Sequence, residues 1–199
     1  MGVLAASQDC SLPLNDFLEG IAEKYRPIFL RGFGYGIDTM INSCLPNTGD
    51  VYILFDGLSK VINQFTQLKK EYKGYIYTGY VSNSYVFNIW DLEDDYFLPS
   101  LDLSTLFCCV DNKIDKFYRP YIYMGIGENL GLDVSYRRLQ FERAVFLLNK
   151  INKGHKAYAF QGFGRGVRFM FDQCSQEEKD LIQKVPVEYR KDFLEGIEK

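Results

Sequence analysis

A single histidine, His155, limits the acid–base and nucleophilic chemistry open to this chain of 199 residues. A Cys–His nucleophile would have to draw on Cys108, Cys109 or Cys174, and no residue near them in sequence supplies the group that orients such a pair. Serine chemistry would need the same histidine, and the chain has no G-x-S-x-G. The run Asp91, Glu93, Asp94, Asp95 offers oxygen ligands to a hard cation. It lacks the alternating acidic spacing and the loop glycine of a calcium site, and is read as a solvated turn. The glycine clusters at 32–36 (GFGYG), 125–131 (GIGENLG) and 162–166 (GFGRG) look superficially like phosphate-cradling loops. A dinucleotide fingerprint, however, follows a strand and opens a helix. These clusters follow proline-initiated turns and recur, so they are read as helix-packing glycines. The cysteines, Cys10, Cys44, Cys108, Cys109 and Cys174, are few and odd in number, which argues against a disulfide scaffold. Cys10 and Cys44 flank the first helical hairpin and could pair in an oxidising compartment. Cys108-Cys109 lacks a second pair at zinc spacing. No catalytic, cofactor-binding or metal residue is assigned. Arg137, Arg138, Arg143, Arg165 and Arg168 make the C-terminal half basic, either pairing with Glu177, Glu178 and Asp180 or meeting an anionic partner.

The elements that would position these residues are repeats. YRPIFLRGFGYG at 25–36 returns as YRPYIYMGIG at 118–127, and more loosely at 72–79, 155–166 and 189–196. In every copy an aromatic residue precedes a key glycine by seven positions: Tyr25 and Gly32, Tyr72 and Gly79, Tyr118 and Gly125, His155 and Gly162, Tyr189 and Gly196. His155 holds the slot that Tyr holds elsewhere, so it is expected to pack as an aromatic. Pro27 and Pro120 fit a first helical turn, where the missing N–H is tolerated. An internal glycine costs a helix roughly 1 kcal/mol against Ala, so several in one helix require close backbone approach to a neighbour in return. Gly32 and Gly36 share a face, as do Gly162 and Gly166.

Between the copies lie stretches with helical apolar spacing. Leu54, Leu58, Val61, Ile62, Phe65 and Leu68 predict an amphipathic helix over 51–70, and a second is predicted over 136–153. Shorter helices are predicted over 12–23, 101–114, 175–184 and 187–198. Residues 75–90 are rich in β-branched and aromatic types, but the repeat register assigns them to a helix. The chain is therefore expected to be all-α: tandem αα-hairpin repeats packed as a solenoid-like array or compact bundle. Residues 1–11 are expected to form a flexible N-terminus, either a signal-peptide remnant or an ordinary frayed end. Residues 12–199 are expected to form one helical-repeat domain.

Composition is globular, with 47% hydrophobic and 25% charged residues. The net charge of −3 gives no pull toward nucleic acid, and no apolar run is long enough to span a membrane. The surplus of 15 Tyr and 16 Phe suits repeat packing or an interaction surface.

The C-terminal third resembles an uncharacterised bacterial domain-of-unknown-function family found beside enediyne polyketide biosynthesis genes. The matching positions are Phe160, Gln161, Gly162, Gly164, Arg165, Ile182, Pro186, Arg190, Asp192 and Gly196, and YIYMGIGENLG at 121–131 is similar to another segment of that family. The resemblance spans about 80 residues. Residues 45–100 depart from it, and its His-rich segments have no counterpart here. It implies an α-helical repeat fold and brings no catalytic residues or cofactor. The expectation is a non-enzymatic helical-repeat scaffold that docks protein partners, set in a bacterial envelope assembly and periplasmic, with a cytoplasmic location as the alternative. The alternative function is an accessory enzyme or small-molecule-binding protein of bacterial specialised metabolism, which predicts a deep pocket lined by Tyr and Arg from facing units.

Overall fold

A computed structural model describes residues 14–44, 51–83, 103–171 and 176–198. Among the described residues every regular element is a helix. In chain order they are α1 (Leu14–Glu19), α2 (Arg26–Cys44), α3 (Val51–Gln64), α4 (Lys70–Asn83), α5 (Leu103–Lys113), α6 (Arg119–Ser135), α7 (Phe141–Asn149), α8 (Lys153–Val167), α9 (Gln176–Lys184) and α10 (Arg190–Glu198). The even-numbered helices carry the glycine motifs and pack consecutively: α2 on α4, α4 on α6, α6 on α8, α8 on α10. The odd-numbered helices touch one another and the even ones, α3 against α4 and α5, α7 against α6, α8 and α9. The core lies between the two sets. Leu58, Ile62, Leu106, Val110, Ala144 and Leu148 from the odd helices are buried with Tyr80, Tyr123, Phe160 and Phe163 from the even ones. Each large apolar side chain buried there contributes about 1.5–3 kcal/mol.

Each copied element begins in the same way. The amide of its first aromatic residue donates to the carbonyl three positions back: Tyr25 to Ala22, Tyr72 to Lys69, Tyr118 to Asp115, His155 to Asn152 and Tyr189 to Pro186, at 2.8–3.0 Å. Where the next residue is Arg, its Nε donates to the carbonyl five positions back: Arg26 to Ile21 and Arg119 to Ile114 at 3.0 Å, Arg190 to Val185 at 2.9 Å. These arginines satisfy carbonyls that the preceding turn leaves open.

The glycines bring backbones together. A Cβ added at Gly131 would lie 2.5 Å from the Phe163 carbonyl oxygen and 2.8 Å from the Gly166 Cα; one at Gly166 would lie 2.7 Å from the Gly131 Cα. Gly127 faces the Ala159 carbonyl, Gly162 that of Met124, Gly164 that of Phe193 and Gly196 that of Gln161, all inside the distance real Cβ atoms show. The paired positions on α6 and α8 rise together, so these two helices run parallel. Gly125 meets the Thr78 carbonyl oxygen at 2.8 Å. On α2 the close approach falls at Gly34, against the Ile76 carbonyl and 2.8 Å from the Tyr80 nitrogen; Gly32 is half-buried in the same helix. All three glycine clusters therefore lie inside helices, which removes the phosphate-loop likeness.

Three helix boundaries differ from the expectation. The helix predicted over 51–70 ends at Gln64, and the chain turns through Phe65 and Leu68 with 3.2 and 3.1 Å three-residue bonds. Leu68 is still buried, so the apolar spacing continues through a turn. The helix predicted over 136–153 is confined to Phe141–Asn149. Before it Arg137 turns left-handed at φ 58°, and the Arg138 and Leu139 amides both return to the Asp133 carbonyl. The helix predicted over 12–23 is α1, Leu14–Glu19, followed by a 3-10 turn at Glu23–Tyr25. Residues 1–11, Cys10, Cys174, the acidic run at 91–95 and the side chain of Cys44 lie outside the described residues.

Replacing a helical Gly by Ala ordinarily adds up to about 1 kcal/mol of stability. The Gly162→Ala variant is expected to lose about 1–3 kcal/mol by urea unfolding, because the Met124 backbone must move. Gly154→Ala, with nothing within 4 Å of the added carbon, is expected to be neutral or stabilising. Equal effects at the two positions would show that backbone contact does not set the glycine requirement.

Candidate functional site

Counted from the first aromatic of each copy, the third, sixth and tenth positions of the even helices share one face, as helical geometry requires. The third-position row reads Ile28, Tyr75, Tyr121, Tyr158 and Asp192; the sixth Arg31, Thr78, Met124, Gln161 and Glu195; the tenth Tyr35, Ser82, Glu128 and Arg165. From α2 to α8 this face bounds a cleft of about 790 Å³. Arg31, Met124, Gln161 and Arg165 line one part of it, and Tyr75, Tyr121, Tyr158, Ile28 and Phe117 another. Pro27 and Pro120 also border it, with Lys24 and Lys116 exposed at its rim.

Arg31, Glu128 and Arg165 come from three helices. Glu128 is buried on α6 and forms an ion pair with Arg31 Nη2. Its other oxygen lies 3.8 Å from Arg165 Nη1, which also points at the Met124 sulfur at 3.4 Å. Arg31 belongs to α2 and reaches across α4 to α6. It can do so because at the level of the ion pair α4 presents Thr78 and Ser82, with Tyr75 one turn back toward its N-terminus. Both are small and both are tied to carbonyls: Thr78 Oγ1 donates to Tyr121 O at 3.0 Å, and Ser82 Oγ to Gly79 O at 3.1 Å. Two guanidiniums thus share one carboxylate, leaving a unit of positive charge in a partly desolvated place. Burial first, and then the Arg31 charge, pull the Arg165 guanidinium below its ordinary pKa range, with Glu128 opposing. The Nε atoms of both arginines are buried and have no hydrogen-bond partner among the described residues.

The aromatic wall is built from ring contacts. Tyr75 and Tyr121 meet edge to face with centroids 5.6 Å apart, and Phe117 lies 6.1 Å from Tyr121. Tyr158 is 41% exposed. Burial raises the Tyr121 phenol above its normal pKa, with the neighbouring Tyr75, Glu71 and Tyr158 adding to it. Tyr121 therefore stays neutral at pH 7.

The residues singled out by sequence are distributed differently. Arg165 is drawn into the cleft, with Glu128 as its partner. Arg138 pairs with Asp133 at 3.9 Å, while Arg143 and Arg168 lie over Phe146 and Phe169. Cys108 is exposed and accepts from Asn112 at 3.1 Å, and Cys109 is buried. His155 stacks on Tyr123, centroids 4.6 Å apart and planes 13° from parallel. Tyr118 on Tyr77 and Tyr189 on Phe160 make the corresponding contact, the first aromatic of one copy against the fifth position of the copy before. His155 is thus a rung in an aromatic ladder. Its Nε2 also faces Asp111 at 4.0 Å, and Asp111 accepts from the Tyr123 hydroxyl at 3.2 Å. Glu128 went unnoticed in the sequence because it sits inside a glycine cluster. Writing the repeat register out to its tenth position would have paired it with Arg165.

Among the described residues no group of three or more His, Cys, Asp or Glu could hold a metal ion, and no helix is long and apolar enough to cross a membrane. Comparison with protein-family models, with curated proteins and with solved structures found no match.

The single histidine gives a clean titration. Desolvation lowers the His155 pKa from 6.5; Asp111 pulls it up and Arg119 pulls it down. A proton then binds the unfolded chain more readily than the folded one, so stability is lost as pH falls through 6.5 toward the folded value. The His155 resonance is expected to titrate below 6.5, and His155→Phe to decline less in stability between pH 7.5 and 5.5 than the wild type. A midpoint above 6.5, or identical declines, would refute the assignment.

Proposed function

We propose that this protein is a non-enzymatic binding protein whose five helix pairs stack as a hairpin array and hold a small anionic ligand in the cleft between α2, α4, α6 and α8. One observation carries the reading: Arg31 and Arg165 converge on the single carboxylate of Glu128 beneath an open cleft. Buried ion pairs are weak sources of stability, and two cations on one anion are worse than a matched pair. An incoming carboxylate or phosphate would restore neutrality and accept charge-assisted hydrogen bonds from the guanidiniums. The cleft volume lies in the range that binds small molecules. A setting in bacterial specialised metabolism rests on the resemblance of the C-terminal third alone.

The test is thermal stabilisation by millimolar inorganic phosphate at constant ionic strength, compared between the wild type and Arg165→Met. That variant leaves Arg31 and Glu128 as a balanced pair, so it is expected to fold. The wild type is expected to be stabilised, and the variant to bind phosphate at least about tenfold more weakly, ~1.4 kcal/mol. Equal stabilisation of both proteins would overturn the reading.

The protein-docking scaffold remains a second reading, and one feature favours it. Ser135 Oγ donates to the Gly166 carbonyl at 2.9 Å, which places the C-terminal ends of α6 and α8 side by side. Just beyond those ends Tyr136 and Phe169 are each 65% exposed. Much of the remaining aromatic surplus goes into the core, with Tyr80, Tyr123, Phe55, Phe160, Phe163 and Phe193 almost fully buried. The cleft is therefore the better supported of the two.

A further inference from the structure

The cleft is two-sided, and its second side restricts the ligand. This step rests on the anion-binding reading just given. Along α8, Tyr158 stands seven residues before Arg165, a rise of about 10 Å. On α6, Tyr121 precedes Glu128 by the same seven residues. The aromatic wall and the cationic floor therefore occupy different levels of one cleft, the wall toward the N-terminal ends of the even helices and the floor further along. A small inorganic anion could occupy the floor alone and would leave the wall unused.

Part of the wall is open to solvent. Tyr158 is 41% and Ile28 63% exposed, although both lie on the face that lines the cleft. Tyr75 and Tyr121 meet edge to face and the Tyr121 ring lies against Gly74, so the open ring of the wall is that of Tyr158. Met124 stands between wall and floor, where a polarisable thioether suits an aromatic edge. The wall residues themselves carry no charge, with Lys24 and Lys116 at the rim and Lys70 over the Phe117 ring. The wall hydroxyls and Gln161 can direct a few polar substituents without requiring them.

We propose that the ligand is a small planar or aromatic acid: a carboxylate or phosphate seated on Arg31 and Arg165, joined across the span of the cleft to a ring that stacks on Tyr158 beside Tyr75 and Tyr121. The anionic group fixes the register, and the ring supplies apolar area that removes the Tyr158 ring and Ile28 from water.

Three probes separate this claim from the simpler one beneath it: 2-naphthoate, inorganic phosphate, and the neutral 2-naphthol. Calorimetry at constant ionic strength is expected to show naphthoate binding at least about tenfold more tightly than either of the others, ~1.4 kcal/mol. Tyr158→Ala, at an exposed position where folding is not at stake, is expected to weaken naphthoate by a similar factor while leaving phosphate unchanged. Arg165→Met is expected to weaken both anions. If phosphate binds as tightly as naphthoate and Tyr158→Ala changes neither, the aromatic-acid class is refuted and the anion site stands. If naphthol matches naphthoate, the wall binds rings without the arginines and the two-point ligand is refuted. If neither anion binds the wild type, this inference and the anion site fall together.

Discussion

Backbone against backbone is the constraint on which this molecule depends. At Gly127, Gly131, Gly162 and Gly166, helices α6 and α8 approach until no Cβ can stand between them. Such packing gives up the hydrophobic area a side chain would have buried. In exchange come weak C–H···O hydrogen bonds between the two backbones and dispersion over the whole length of the interface. The glycines cost helix propensity at every position. A helix so composed is stable only between its neighbours, which ties each even-numbered helix to the next.

Close approach also fixes what the exposed face can do. Side chains from α2, α4, α6 and α8 fall into rows because the helices share a register, and the rows lie close together because the glycines do. Arg31 reaches Glu128 past an intervening helix only where that helix offers Thr78 and Ser82. Bulkier residues on α4 would separate the two charges and fill the cleft. Glycine packing in the interior and charge convergence on the surface thus have one geometric origin.

The all-helical class was legible in the sequence, because a seven-residue interval between an aromatic and a glycine survives variation of everything around it and assigns even the β-branched and aromatic stretch after Tyr72 to a helix. The aromatic role of His155 followed from that interval and is seen in its stack on Tyr123. Helix ends were less legible. Leu68 and Leu139 pack against the core from turns, so apolar spacing ran on past Gln64 and began before Phe141. The partner of Arg165 was hidden for a different reason. Nearness in sequence suggested Glu177, Glu178 and Asp180, and the side chains of the first two lie outside the described residues; Glu128, from the neighbouring helix, is what faces Arg165 at 3.8 Å. Register distance, rather than chain distance, measures proximity in this architecture.

The same rigidity bears on how the cleft would recognise a ligand. A charged group in a mobile site must be ordered before it binds, and that ordering weakens affinity. Here Arg31 is bonded to one buried carboxylate and Arg165 lies 3.8 Å from it, on helices whose backbones are already in contact. Glu128 binds the Arg31 guanidinium and attracts that of Arg165, neutralising only one of them. A lone arginine would be better solvated and less directed; a matched pair would have no charge left to offer. Two arginines on one carboxylate stand between these limits. That intermediate arrangement makes poor sense as a source of stability and good sense as a receptor for one further anion.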